Sequence, residues 1–321
     1  MTRSLSAAGV GMALAGAFFY GFNISFAALA SQAGVSGPVL VSYRIVTMMV
    51  LAIAAHAMLR TAFHIPKSDR VGVLLIGLTS IGVGVGYLSA VAFIPVTVAA
   101  VIFYTFPILI VIATPFIDKR PLTPTMMFVT VLAFIGVVMV VGPAMDALDW
   151  RGIALAFVAS ISAAIQFFAG TRCKSTSLQS KILGVQIVAL PFTLAIAMIA
   201  GGMKPPSILL NAPMAVALTI GGFMLGFLFQ MLALNRIPAS AAGLAFCAEP
   251  VVAAVTSVLV LDERLGPIGY AGGALVIAAI MLNVIFENRR STAITKIIPE
   301  EDHARGTPHA CRDRDRFFRS R

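Results

Sequence analysis

The chain has 321 residues, of which 59% are hydrophobic and only 11% charged, with a formal net charge of +10. A soluble domain carries about 25% charged residues, so a water-covered globule of this size is excluded. Nucleic acid is excluded as a partner too, because the basic residues are scattered through short connections and build no recognition module.

A helix crossing the hydrocarbon needs about 20 mostly apolar residues. Ten such stretches follow one another, at 8–30, 38–59, 71–93, 96–117, 124–142, 152–170, 182–201, 213–234, 239–261 and 267–286. The first contains Ala28-Leu29-Ala30, which looks like a signal-peptidase site. The apolar run before it is longer than the roughly 7–15 residues of a signal segment, so it is read as a retained helix. The third contains Gly82-Val83-Gly84-Val85-Gly86, whose spacing fits no nucleotide loop and whose small residues suit close helix packing. Runs such as Val131–Val141 are apolar on every side, unlike the alternation of a barrel strand. The fold class is therefore an all-α integral membrane protein with ten transmembrane helices, and the lipid bilayer is its first partner. Residues 287–321 are basic and polar and are expected to form a disordered cytoplasmic tail.

Three prolines of the first half recur in the second at one separation: Pro95/Pro238, Pro107/Pro250 and Pro124/Pro267, all 143 residues apart. The same shift pairs Gly9 with Gly152, Asn23 with Gln166, Leu40 with Leu183 and Tyr87 with Gln230. The chain thus divides into 1–143 and 144–286, five helices each. An odd number makes the second unit enter from the opposite face, giving inverted repeats, which place a binding site near the midplane and work by alternating access. Pro124 and Pro267 open helices, where a missing N–H costs nothing. Pro107 and Pro250 fall inside the fourth and ninth spans and are expected to bend them, freeing the carbonyls of Phe103 and Phe246. Those carbonyls are satisfied either by a cavity or by neighbouring helices.

Basic residues set orientation. With the N-terminus in the cytoplasm, thirteen Lys and Arg up to Lys296 fall inside, Lys181 among them, and three outside: Arg151, Lys204 and Arg264. Both termini are expected in the cytoplasm.

Two charges lie within spans. Glu249 sits mid-span beside Pro250; a charge at that depth costs roughly 2.5–3.5 kcal/mol and is a functional candidate by default. It carries a coupling proton, pairs with a substrate ammonium, or is a protonated structural side chain. Arg44 either snorkels to the interface, contacts an anion, or forms a charge pair with Glu249 across the cavity. Asn23/Gln166, Tyr43/Gln186, Tyr87/Gln230 and Thr97/Ser240 are polar at equivalent positions, and Tyr104 lies one turn before Pro107. Such groups either line a shared cavity or join helices. Cys173, Cys247 and Cys311 have no disulfide signature. His303, His309 and Cys311 match no zinc spacing, and there is no Walker A sequence, so neither metal nor cofactor is expected.

The stretch Glu249-Pro250-Val251-Val252 through Leu261-Asp262-Glu263-Arg264-Leu265, followed by Gly269 to Leu282, resembles the end of an EamA domain of the drug/metabolite transporter superfamily. Tyr104-Thr105-Phe106-Pro107 and Asp118-Lys119-Arg120-Pro121-Leu122 echo it in the first half. The resemblance, over about residues 8–286, implies an inverted-repeat carrier of a bacterial-type cytoplasmic membrane that moves small metabolites, amino acids or toxic compounds, frequently outward. It implies a central cavity that includes Asn23, Tyr87, Tyr104, Gln166, Gln230 and Glu249. The first half departs from the pattern, with Lys119-Arg120 for the acidic–basic pair and Phe106 where Glu249 has its repeat mate. The expected function is a secondary transporter exporting a small-molecule solute, with protons as the candidate coupling ion. A downhill permease or importer is the alternative, and a membrane enzyme or receptor the least favoured reading.

Overall fold

The computed structural model describes residues 6–35, 37–119, 121–142, 149–199, 204–262 and 266–297. The first half contains α1 (Ala7–Gln32), α2 (Gly37–Met58), α3 (Arg70–Ala90), a broken span formed by α4 (Val96–Phe103) and α5 (Phe106–Ile117), and α6 (Pro124–Val141). The second contains α7 (Trp150–Arg172), α8 (Leu178–Ile199), a 3-10 turn (Pro206–Asn211) and α9 (Pro213–Leu234). It ends with another broken span, α10 (Ala239–Phe246) and α11 (Ala248–Val260), and with α12 (Pro267–Ile297). Among the described residues, ten helices, with each broken pair counted as one, are long and apolar enough to cross a membrane. The chain is a multi-pass membrane protein.

Local chemistry sets the helix ends. The Ser6 hydroxyl accepts the Gly9 N–H at 3.4 Å to start α1, and Thr123 accepts the Met126 N–H at 3.3 Å just before Pro124 opens α6. Asp149 accepts the Arg151 N–H at 2.8 Å to start α7. Each satisfies one donor that a helix start leaves free. Lys119 (φ 53°) follows α5 and Asp262 (φ 54°) follows α11. Both take a left-handed conformation at equivalent repeat positions, although one is basic and the other acidic.

Helix pairing shows the inverted repeat. The first span packs on the eighth, α1 on α9, as the sixth packs on the third, α7 on α3. α1 also packs on α10 and α11, mirrored by α7 on α4 and α5. The remaining spans pair with their own repeat mates, α2 with α8 and α6 with α12. The α6–α12 seam is backbone on backbone. A Cβ on Gly136 would lie 2.8 Å from the Gly272 carbonyl oxygen, and one on Gly272 would lie 2.6 Å from that of Gly136. Gly136→Leu is accordingly expected to destabilise the protein by about 1–3 kcal/mol through overpacking, read as a lower thermal midpoint in detergent.

The bundle is closed unequally at its two ends. Around the end where α1 begins, one continuous core joins α1, α3, α5, α7, α9 and α10, with Phe106, Ile110, Phe167, Met231, Leu234 and Phe246 buried in it. Toward the opposite end the core divides. One cluster (Ala30, Val35, Val39, Leu40, Ala215, Val216) ties α1 to α2 and α9, and a separate one (Ala90, Ile94, Val98, Ala99, Ala156) ties α3 to α4 and α7.

The closed end is also tied by polar groups. Asp69, buried before α3, accepts the Ser175 N–H at 2.9 Å and the Thr176 N–H and hydroxyl at 2.8 Å each. Burial alone would raise its pKa, but the Thr176 and Ser68 hydroxyls and the two backbone donors together hold it below the usual carboxylate range. Because the folded pKa is depressed, this contribution to stability is present at neutral pH and is lost as acidification passes through that pKa. Asp69→Ala strands two N–H groups, and a loss of about 1–3 kcal/mol is expected in detergent unfolding at neutral pH, shrinking as the pH is lowered.

Two boundaries differ from the sequence expectation. α8 starts at Leu178, earlier than the predicted 182, which draws Lys181 out of the loop and into the helix. Lys181 is fully buried, and its Nζ donates to Asn235 Oδ1 at 3.0 Å. That partner is what allows an ammonium to leave water. α12 continues past 286 to Ile297; the rest of the expected tail, with His303, His309 and Cys311, lies outside the described residues, as do Arg120 and Arg264.

Candidate functional site

The bends expected at Pro107 and Pro250 take the form of breaks. α4 stops at Phe103 and α5 restarts at Phe106; α10 stops at Phe246 and α11 restarts at Ala248. At each break the chain tightens, with Thr105 N–H bonding Ile102 O at 3.1 Å and Cys247 N–H bonding Leu244 O at 3.1 Å. Each proline then occupies the first turn of the new helix, where its lack of an N–H is harmless. The second break puts Glu249 in the first turn of α11, where the free N–H groups of a helix start favour negative charge.

α1 crosses directly over this turn. Gly21 lies against the Glu249 carbonyl, so closely that a Cβ there would overlap it. Tyr104, Tyr20 and Tyr87 all lie within electrostatic reach of the Glu249 carboxylate, Tyr104 most closely. Phe103 stacks edge-on against both Tyr87 and Tyr104, with ring centroids 5.7 and 5.3 Å apart. Glu249 is the one acidic residue within the ten spans, and aromatic rings and phenolic hydroxyls surround it.

Gln166 and Gln230, paired with different mates in the duplication, meet each other. Tyr20 donates to Gln230 Oε1 at 2.9 Å, Gln230 Nε2 to Gln166 Oε1 at 3.2 Å, and Gln166 Nε2 to Ser80 Oγ at 2.7 Å. Ser80 then donates to the Ile76 carbonyl at 2.7 Å. This chain of hydrogen bonds runs through α1, α9, α7 and α3 and joins the two repeats.

Arg44 does not pair with Glu249. Its guanidinium carbon lies 3.3 Å from the centroid of the Phe223 ring, and its Nε is buried without a hydrogen-bond partner. The ion pairs among the described residues are Arg151–Asp149 and Arg172–Asp118. Tyr20 stands within electrostatic reach of both Arg44 and Glu249 and packs on the same Phe223 ring at 5.2 Å. Asn23 packs on Gly222 beside that ring, and Asn23 Oδ1 is buried without a partner; so is Thr219 Oγ1, one turn away on α9.

Of the sequence candidates, the structure gathers Glu249, Tyr87 and Tyr104 around the second break, Gln166 and Gln230 beneath them, and Arg44 and Asn23 beside α9. Other polar groups join helices. Tyr43 donates to the Lys204 carbonyl at 2.7 Å, Gln186 turns to Met48, and His56 bridges Ala52 O and Ser180 Oγ. Tyr20 and Ser80 were not singled out by the sequence reading. Their repeat mates are Ala163 and Phe223, so a search for polarity in both halves passes over them; Tyr20's place one turn before Asn23 was the available signal. Among the described residues no cluster of three or more His, Cys, Asp or Glu is placed to hold a metal.

The chain matches the EamA-like transporter family twice, over residues 7–142 and 150–285. It is 27% identical over 230 residues to the threonine/homoserine exporter RhtA of Escherichia coli K12, covering 70% of this chain and 75% of that one. It is 28% identical over 220 residues to RhtA of Salmonella typhimurium SL1344, covering 67% and 71%. A crystal structure at 20% identity superposes with a TM-score of 0.73 over 89% of this chain and all of the other, a likeness of fold. Two repeats, each matching the family's domain, make this chain a member of the EamA-like transporter family.

Proposed function

We propose that this protein is a secondary transporter that exports a small amino-acid-type metabolite across a bacterial cytoplasmic membrane, with both termini inside. The observation that carries the reading is Glu249, the one acidic residue in the spans, set at a helix break among Tyr20, Tyr87 and Tyr104. An ionised carboxylate in an aromatic surround suits an ammonium group, through ion pairing and the ring faces together. The RhtA relatives are exporters of threonine and homoserine, both of which carry that group.

Glu249 gives a simple exchange. Ionised, it holds the substrate ammonium; protonated from the outside, it releases it; on return it gives the proton to the cytoplasm and rebinds substrate. The loop charges favour the continuous core on the cytoplasmic side, with the divided core toward the outside. In inside-out vesicles, uptake of labelled L-threonine or L-homoserine should rise when the lumen is acidified. Equal accumulation with and without the gradient rejects coupling, and no uptake of either rejects this substrate class.

A further inference from the structure

Arg44 is a half-buried cation with no counter-ion among the described residues. In a membrane span such a charge normally pairs with an acid or with backbone carbonyls. Phe223 covers one face of the guanidinium at 3.3 Å, which holds the plane but leaves its in-plane donors unused, and Nε has no acceptor. The planar fork of an arginine matches a carboxylate with two parallel hydrogen bonds. Asn23 of α1, which packs on Gly222, and Thr219, one turn before Phe223 on α9, contribute two more buried polar atoms without partners. Unmet hydrogen-bonding capacity of this kind is uncommon in buried groups.

Glu249 and Arg44 are opposite charges in one bundle that do not pair; Tyr20 lies within reach of each. A pair built for stability would close the gap. A separated pair fits a ligand that carries both charges.

We infer that Arg44, stacked on Phe223 of the α9 segment that also carries Thr219 and packs on Asn23, is the subsite for the substrate's carboxylate, so that the site selects zwitterionic α-amino acids over amines and amides. This rests on the exporter reading for the ammonium end, but the anion subsite has its own readout. Arg44 acts on specificity by touching the substrate directly.

The test uses the full chain in detergent and in vesicles, with L-threonine and L-homoserine, their α-carboxamides and their decarboxylated amines as probes. Ligand-dependent thermal stabilisation should give the wild type a clear preference for the acids. Arg44→Gln should weaken acid binding by about 10- to 100-fold, the loss expected for a charge-assisted bond, while leaving the amides and amines nearly unchanged. Arg44→Lys keeps the charge without the fork and should fall between. If Arg44→Gln does not purify as a single species, the acid-to-amide ratio of Arg44→Lys decides. An unchanged ratio in either variant, amides bound as well as acids by the wild type, or no stabilisation by any acid overturns the subsite. Acid stabilisation that Arg44→Gln abolishes, with no flux in wild-type vesicles, overturns the exporter reading and leaves the subsite standing.

Discussion

Glu249→Gln is expected to leave the protein folded and to reduce gradient-driven flux of L-threonine by about 100-fold, the order of a lost charge-assisted interaction. Glutamine keeps the shape of the side chain and a polar oxygen facing the tyrosines, so the first turn of α11 is not disturbed. What disappears is the negative charge and the ability to take up and release a proton. Residual flux in the variant should therefore be the same with and without a proton gradient. Substrate stabilisation should fall in parallel, since the ammonium loses its counter-charge. The measurement is vesicle uptake beside a thermal midpoint. Wild-type, gradient-stimulated flux in Glu249→Gln would remove this residue from the proposed site while leaving transport itself untouched.

Gly21→Val has the largest expected effect on the fold. The glycine is where α1 lies against the start of α11, and any Cβ there overlaps the Glu249 carbonyl and comes within 2.8 Å of Val252 Cβ and 2.9 Å of the Ala253 N. Two of those three atoms are backbone, so no side-chain rotation relieves the contact. The helices must part, and a loss of about 3 kcal/mol, the upper range for overpacking, is expected. The variant should combine a lowered thermal midpoint with loss of flux, unlike Glu249→Gln, which spares the midpoint. Gly11→Ala on the same helix is the control. A Cβ there has no neighbour within 4 Å, so both stability and flux should stay close to wild type. An unaltered midpoint in Gly21→Val would mean that α1 and α11 adjust more freely than their packing indicates.

The ten spans and the duplication were legible because both are written in composition and spacing. Apolar runs of membrane length need no tertiary information, and prolines 143 residues apart mark the repeat directly. Glu249, alone among carboxylates at membrane depth, was legible for the same reason. What escaped depends on which helices touch. Pro107 and Pro250 announce a disturbance, but the helix breaks three residues upstream, where the carbonyls lose their donors. Lys181 reads as a loop residue until Asn235, 54 positions away, supplies its partner. Tyr20 belongs to the site through Gln230, 210 positions away, and no periodicity along α1 reports that. Arg44 was visible as a charge, yet its stacking on Phe223 is a product of α2 meeting α9.

The repeat mate of Glu249 is Phe106, which is 2% exposed and packed on Phe167 at 5.2 Å. In an inverted repeat made of identical halves, the two access states are the same structure with the halves exchanged, and they have equal free energy. Here the exchange carries a carboxylate into the kind of surroundings that hold a phenylalanine, and the reverse. Glu249/Phe106 is one of several mate pairs, with Tyr20/Ala163 and Ser80/Phe223, that break the symmetry of the frame. In the proposed cycle, resting preference for one face would be set by sequence differences between mates, and exchanging such residues between the halves is a route to shifting that preference without rebuilding the fold.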